Sequence, residues 1–153
     1  MFPMKIRLSI VMIALCLTGC TDKNNYEQAV LADIEKEKDV TDYKIEPEYM
    51  ADCVVDLSSK KMPGFFPLDP YRLQAYRNYT KMLTLAKSAD PKQTLEELRT
   101  DFGSAKKLAE AHSNYTESYL DCISAVIMEA EKKGSLKSEP TPPEQTTTNP
   151  AKP

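Results

Sequence analysis

The chain has 153 residues, of which 41% are hydrophobic and 28% are charged, a length and composition that fit one globular domain. Its 20 basic and 23 acidic side chains give a net charge of −3, so the chain has no general attraction for phosphate backbones. We therefore expect no nucleic-acid partner. The chain contains four glycines, which argues against folds built from many tight β-turns.

The N-terminal segment has the layout of an export signal. Lys5 and Arg7 are followed by an uncharged, mostly apolar run over residues 8–17. A helix of that length rises about 15 Å, roughly half of a bilayer core, so it is too short to span the membrane. Because the run has the proportions of a signal-peptide h-region, we predict that residues 1–19 are removed.

The apolar run ends in Leu17, Thr18, Gly19 and Cys20. These four residues resemble the lipobox of bacterial lipoproteins, and the resemblance covers about the first 20 residues of the chain. It implies that the Cys20 thiol receives a diacylglyceryl group, that cleavage precedes Cys20, and that the new amine is acylated. Two or three acyl chains hold a protein on a membrane essentially permanently. An ordinary secretory signal with a chance cysteine is the alternative.

The same resemblance predicts where the protein resides. Residue 21 occupies the sorting position, and its threonine favours the periplasmic face of the outer membrane, with the inner membrane as the alternative. Cleavage would leave 18 basic against 23 acidic side chains. The predicted membrane attachment therefore depends on the lipid and not on a basic surface.

The cysteines divide into two pairs. Cys16 leaves with the signal peptide and Cys20 carries lipid, so Cys53 and Cys122 remain in a compartment that favours disulfides. A bridge between them closes a loop of about 70 residues and contributes about 4 kcal/mol on the chain-entropy model. Two buried free thiols or a metal site are the alternatives. The wide spacing and the single histidine, His112, argue against metal, so we expect no metal and no cofactor.

The body is predicted to be an all-α bundle of about four helices spanning residues 26–133. Residues 20–25 form the lipidated N-terminus and a short linker. Asn24 and Glu27 have capping-box spacing, and they predict a first helix that fades near residue 39.

Later helices are marked by prolines and aspartates. Three prolines and a glycine make residues 62–70 irregular. Asp69-Pro70 and Asp90-Pro91 each place a good N-cap before a good first-turn residue. The predicted segments are 47–60, 70–87 and 91–133.

The last segment is the longest, and its apolar and small residues recur at alternating steps of three and four, a pattern suited to shallow-angle packing. Gly103 and Ser104 interrupt it, and an unbroken helix would reach about 64 Å. We favour a break there, with one continuous helix as the alternative. The predicted seam consists of Leu95, Leu98, Phe102, Ala105, Ala109, His112, Thr116, Tyr119, Ile123, Val126 and Ala130.

Beyond this helix the composition changes. Residues 134–153 contain five prolines and four threonines and almost nothing apolar, so they cannot offset the entropy of ordering. We predict a disordered tail.

Few residues qualify as site residues. Tyr71, Tyr76 and Tyr79 could form a partner or ligand surface, although helical spacing favours core and boundary positions for them. Phe65 and Phe66 either plug the open end of the bundle, which we favour, or present a hydrophobic contact. His112 is expected to be a packed or half-buried structural residue, because no catalytic motif accompanies it. We predict no catalytic residue.

Two classes of function therefore remain open. The first is a non-catalytic, lipid-anchored envelope protein that docks a protein partner close to the membrane, since the linker 21–25 reaches at most about 17 Å. The second is a periplasm-facing hydrolase or small-ligand carrier with a tyrosine-lined groove, which needs convergent polar groups in a cavity. We favour the first.

Overall fold

The computed structural model describes residues 21–132, and within that range the chain forms helices, turns and loops without a β-strand. The predicted all-α architecture is confirmed. The segments 1–20 and 133–153, which include the signal peptide, Cys20 and the tail 134–153, lie outside the described residues. The helices are α1 (described from residue 21 and ending at residue 34), α2 (Lys38–Asp42), α3 (Pro47–Lys60), α4 (Pro70–Leu83), α5 (Pro91–Asp101) and α6 (Ala105–Lys132), with a 3-10 turn at Leu85–Lys87.

The predicted helix starts at prolines are confirmed. Helices α3, α4 and α5 each begin at a proline, whose fixed φ suits the first turn. The Asp69 carboxylate accepts from the Tyr71 backbone N–H at 2.9 Å, and the Asp90 carboxylate accepts from that of Gln93 at 3.0 Å. These two aspartates therefore satisfy amides that have no partner within the helix.

The start of the first helix was predicted wrongly. Residues 21–25 belong to α1, so Asn24 lies inside the helix and there is no linker between Thr21 and the body. The added turn is supported by an ion pair between Lys23 and Glu27 at 2.9 Å, four residues apart. The helix ends at residue 34, and the chain turns before α2 instead of continuing towards residue 39.

The break in the last helical segment is confirmed. Helix α5 ends at Asp101, Gly103 has a φ of +85°, and α6 begins at Ala105. The Ser104 hydroxyl accepts from the Lys107 backbone N–H at 3.1 Å, as an N-cap does. Together with the short α2, this break makes the described helices more numerous than the four predicted.

The buried face of α6 differs from the predicted seam. Ala105, Ala109, His112 and Thr116 are exposed, and the buried stripe lies on a neighbouring face. The pattern failed because two members of the buried stripe are polar. The buried residues of α6 are Ala111, Asn114, Tyr115, Ser118, Cys122 and Ile123.

Helices α3 and α6 pack against one another. Cys53 is bonded to Cys122, and Lys61, just beyond α3, forms an ion pair with Glu117 at 2.9 Å. As residue numbers rise along α3 they fall along α6, so the two helices are antiparallel. The apolar core lies between this pair, α1 and α4, and α5 contributes the fully buried Leu98.

Candidate functional site

The Cys53–Cys122 disulfide is present, and that prediction is confirmed. It joins α3 to α6 across a sequence separation of 69 residues, with the two Cα atoms 6.0 Å apart. Cys122 is fully buried and Cys53 is half-buried. The bridge therefore lies within the core and serves structure.

Two of the three candidate surface tyrosines are core residues. Tyr76 and Tyr79 are each 4% exposed, and both pack against the fully buried Tyr26, with ring centroids 5.6 and 5.8 Å apart. Tyr71, at the start of α4, is 74% exposed. Tyr76 and Tyr79 therefore do not belong to an exposed partner surface, and Tyr71 is available for contacts.

A buried polar network surrounds these rings, and sequence reasoning missed it. The Tyr26 hydroxyl lies 2.7 Å from the Ser58 hydroxyl, which donates to the Val54 carbonyl at 2.6 Å. The Asn114 amide donates to the Ser58 carbonyl at 3.1 Å and to the Tyr79 hydroxyl at 2.8 Å. The network therefore fixes α1, α3, α4 and α6 against one another through directional contacts.

Burial keeps the core tyrosines protonated. It raises the pKa of Tyr26 and of Tyr79 above the usual value. Burial, together with the neighbouring Asp33 carboxylate, raises the pKa of Tyr115, which donates to that carboxylate at 2.9 Å. Burial and the charge of Glu37 raise the pKa of Tyr119 to about 12. None of these hydroxyls is prepared to act as a base near neutral pH.

The loop 61–69, which we call the aromatic loop, presents Phe65 and Phe66 to solvent. Phe65 is 100% exposed and Phe66 is 58% exposed. The expectation that they plug the end of the bundle is wrong, because both side chains point into solvent, while Met62 of the same loop is buried in the core. The two phenylalanines are left as a hydrophobic contact surface.

The aromatic loop has a defined conformation. The Arg72 guanidinium donates to the Gly64 carbonyl at 2.6 Å and also to the Ser59 carbonyl. The Asp69 carboxylate, besides capping α4, accepts from the Phe65 backbone N–H at 3.1 Å. Gly64 has a φ of +101°, a region that favours glycine. Arg72 and Gly64 determine the loop geometry, and the residue pattern alone did not identify them.

A groove of about 630 Å³, the polar groove, lies between α4, the end of α5 and α6, and Tyr71 and Tyr79 are among its walls. Its polar side chains mostly bind one another. The Asn78 amide donates to the Asp101 carbonyl at 3.1 Å, and the Asp101 carboxylate accepts from Lys81 at 2.9 Å. The buried Asn114 side-chain oxygen is the exception, since it has no hydrogen-bond donor among the described residues. This arrangement suits the binding of a small polar molecule better than proton transfer.

A second groove of about 630 Å³, the apolar groove, lies between the end of α4, α5 and the start of α6. It contains much of the seam predicted from the sequence, here turned towards solvent. His112 lies on its edge and is exposed, so the expected packed or half-buried position for this histidine is wrong. Its aliphatic and small lining residues include Leu83, Leu85, Leu95, Ala105, Leu108 and Ala109.

Within residues 21–132, no helix has the length and apolar character needed to cross a bilayer. No group of three or more His, Cys, Asp or Glu side chains there is placed to hold a metal ion.

No protein-family model, curated protein sequence or solved structure matches this chain.

Proposed function

We propose that the chain is a lipid-anchored, non-catalytic protein of the bacterial cell envelope that docks a membrane-proximal protein partner. Cys20 carries the lipid, on the periplasmic face of the outer membrane or, alternatively, of the inner membrane. The observation that carries the docking role is the apolar groove along α5 and α6, in which Ala105 and Ala109 are exposed and Leu95 and Leu108 are half-buried. A groove with aliphatic walls between helices suits an amphipathic helix of a partner, which lays its apolar face into it.

Two features support the anchor. The signal-like segment ends in a lipobox-like sequence at Cys20, and the next residue, Thr21, is already helical. The Cys53–Cys122 disulfide fits an exported protein, because reducing cytoplasm rarely preserves such bonds. With no linker between Thr21 and the helical body, the anchor holds the body against the membrane surface.

The lining of the apolar groove defines the partner that it fits. Arg99 and His112 are the ionisable side chains among the residues that line it, and both are basic. The small Ala105 and Ala109 leave room for another backbone to approach α6. The occupant is therefore an amphipathic helix of a membrane-proximal protein, with an apolar stripe and an acidic flank.

A second candidate function is a small-ligand carrier that uses the polar groove. The buried Asn114 oxygen without a donor favours it, because a ligand or water that donates a hydrogen bond would satisfy that atom. The hydrolase alternative would need a nucleophile paired with a base in this groove. The Ser113 hydroxyl donates there to the carboxylate of the exposed Glu117 at 2.9 Å, a surface contact and not such a pair.

The anchor is tested by substituting Cys20. We expect Cys20→Ala to abolish the incorporation of a clickable fatty acid and to leave an uncleaved or mislocalised precursor, because the acylated thiol is lost. Gel fluorescence after labelling of intact cells measures incorporation, and Cys16→Ala is the control that keeps full labelling. A wild-type protein that takes up no label would overturn the anchor.

The docking role is tested with two exposed alanines of α6. We expect Ala109→Glu, in the apolar groove, to reduce crosslinking to the partner in intact cells at least about tenfold, because the added carboxylate would lose its hydration under the partner's apolar stripe and repel its acidic flank. Ala125→Glu, outside the groove, should leave crosslinking unchanged. Equal crosslinking by the two variants would exclude the apolar groove as the docking site.

A further inference from the structure

Four large hydrophobic side chains project from the aromatic loop and the first turn of α4. The exposed fractions are 100% for Phe65, 58% for Phe66, 52% for Leu68 and 74% for Tyr71. A single exposed hydrophobic residue is ordinary, but four within seven consecutive positions form a patch.

The tip of this loop has no charge. Residues 62–68 include no ionisable side chain, and the next one, Asp69, is buried beneath the tip. The Asp69 carboxylate accepts from the Phe65 N–H at 3.1 Å and the Tyr71 N–H at 2.9 Å. Transfer of the tip from water into lipid therefore desolvates no charged side chain.

Much of the loop's backbone is also already satisfied. Pro63 and Pro67 have no N–H, and the Phe66 carbonyl accepts from the Asp69 N–H at 3.0 Å. The Gly64 carbonyl accepts from Arg72 at 2.6 Å. Satisfied backbone is what a non-helical segment needs in order to enter a lipid environment, where water is scarce.

The start of α1 lies at the same end of the bundle as this loop. Tyr26 contacts Ser58, two residues before the end of α3, and Asp22 forms an ion pair with Arg77 of α4. Further along, Asp33 of α1 and Leu83 of α4 line one groove. Helices α1 and α4 therefore run in the same direction, and moving back along α1 leads towards the loop that precedes α4.

The lipid attachment point is next to this end. Thr21, the first described residue of α1, lies about 8 Å before Tyr26 along the helix axis. Cys20 is the preceding residue, and its Cα is bound by covalent geometry to lie about 3.8 Å from that of Thr21. The membrane that holds the acyl chains of Cys20 must therefore face the end of the bundle that carries the aromatic loop.

We infer that the aromatic loop is a second membrane contact: Phe65, Phe66 and Leu68 insert among the lipids of the bilayer that anchors Cys20, and Tyr71 lies at the headgroup level. This inference rests on the proposed anchor. Aromatic side chains favour the bilayer interface, where one end of a ring is dry and the other is wet. The uncharged tip makes the contact hydrophobic and independent of anionic lipid. Two attachment points fix the tilt of the body and thereby orient the apolar groove.

The test uses the absence of tryptophan from the chain. Phe65→Trp introduces a single tryptophan at a fully exposed position, where the larger ring disturbs no packing. The matched control is Tyr49→Trp, 55% exposed in the first turn of α3, at the opposite end of that helix from the loop. Both full-length acylated variants are reconstituted into vesicles of phosphatidylethanolamine and phosphatidylglycerol, with and without bromine-labelled acyl chains.

We expect bromolipid to quench the Phe65→Trp variant at least about twofold more than the Tyr49→Trp variant, with a blue-shifted emission maximum and little dependence on salt. Equal quenching would overturn the inference, because the loop would then lie in water. A blue shift without bromolipid quenching would also overturn it, since the loop would be covered by protein.

The acyl mass on Cys20 is measured on the same preparation. Water-exposed tryptophan on an acylated protein overturns the loop contact alone. Missing acyl chains overturn the proposed anchor alone, because added vesicles still report whether the loop inserts.

Discussion

Replacing both bridge cysteines, Cys53→Ala with Cys122→Ala, is expected to lower the free energy of unfolding by about 4 kcal/mol. The closed loop spans most of the body, so the reduced unfolded chain gains many conformations. The fully buried Cys122 also leaves a small cavity when it becomes alanine. Because domains of this size have about 5–15 kcal/mol in total, the loss would be a large share of stability.

Urea denaturation followed by circular dichroism measures this change, and the reductant dithiothreitol provides the control. Reduced wild type should approach the double variant in stability, and the double variant should not respond to reductant. A loss below about 1 kcal/mol would show that packing between α3 and α6 holds these helices without the bridge.

The fold was predictable to the extent that local chemistry determines it. Asp69-Pro70 and Asp90-Pro91 fix helix starts within a few residues, and Gly103-Ser104 fixes a break, because caps and φ preferences act over one turn. The helical state of residues 21–25 was missed because a plausible cap at Asn24 competes with a longer helix. The longer helix is supported by the contact of Asp22 with Arg77 of α4, which the local sequence does not reveal.

The error on α6 has a different cause. An apolar-periodicity argument assigns buried positions to apolar residues, yet Asn114 and Ser118 are buried. The Ser118 hydroxyl donates to the Asn114 carbonyl at 2.7 Å, and the Asn114 amide finds partners on α3 and α4. Such partners come from distant parts of the chain. The predicted buried face of α6 was therefore rotated about the helix axis by roughly one residue, and this rotation placed solvent-facing alanines in the core.

Helix geometry alone could have separated the three candidate tyrosines before the structure was known. Each residue of an α-helix turns by about 100°, so Tyr76 and Tyr79 lie about 60° apart and Tyr71 lies about 140° from Tyr76. One surface could not contain all three. Phe65 and Phe66 could not be placed in this way, because the conformation of an irregular loop depends on Arg72 and Asp69 contacts that follow from the packing of α3 against α4.

Gly64→Ala is expected to lower the free energy of unfolding by about 3 kcal/mol and to displace the aromatic loop. A φ of +101° strains any L-residue other than glycine by about 1–2 kcal/mol. A Cβ there would also meet the Arg72 Cβ and backbone nitrogen, each at 2.8 Å. Those atoms belong to the first turn of α4 and cannot move without pulling Arg72 away from the Ser59 and Gly64 carbonyls.

Gly103→Ala separates the two contributions to this loss. Gly103 also has a positive φ, +85°, but a Cβ there meets only the flexible end of Lys107, with the Nζ at 3.8 Å. Gly103→Ala should therefore lower the free energy of unfolding by the backbone strain alone, about 1–2 kcal/mol. Urea midpoints of the two variants give the comparison, and in the Phe65→Trp background the Gly64 variant alone should change the tryptophan emission in solution. If both glycine variants lost the same stability, the loop would be free to move away from α4, and the ordered hydrophobic tip on which the membrane contact depends would not exist.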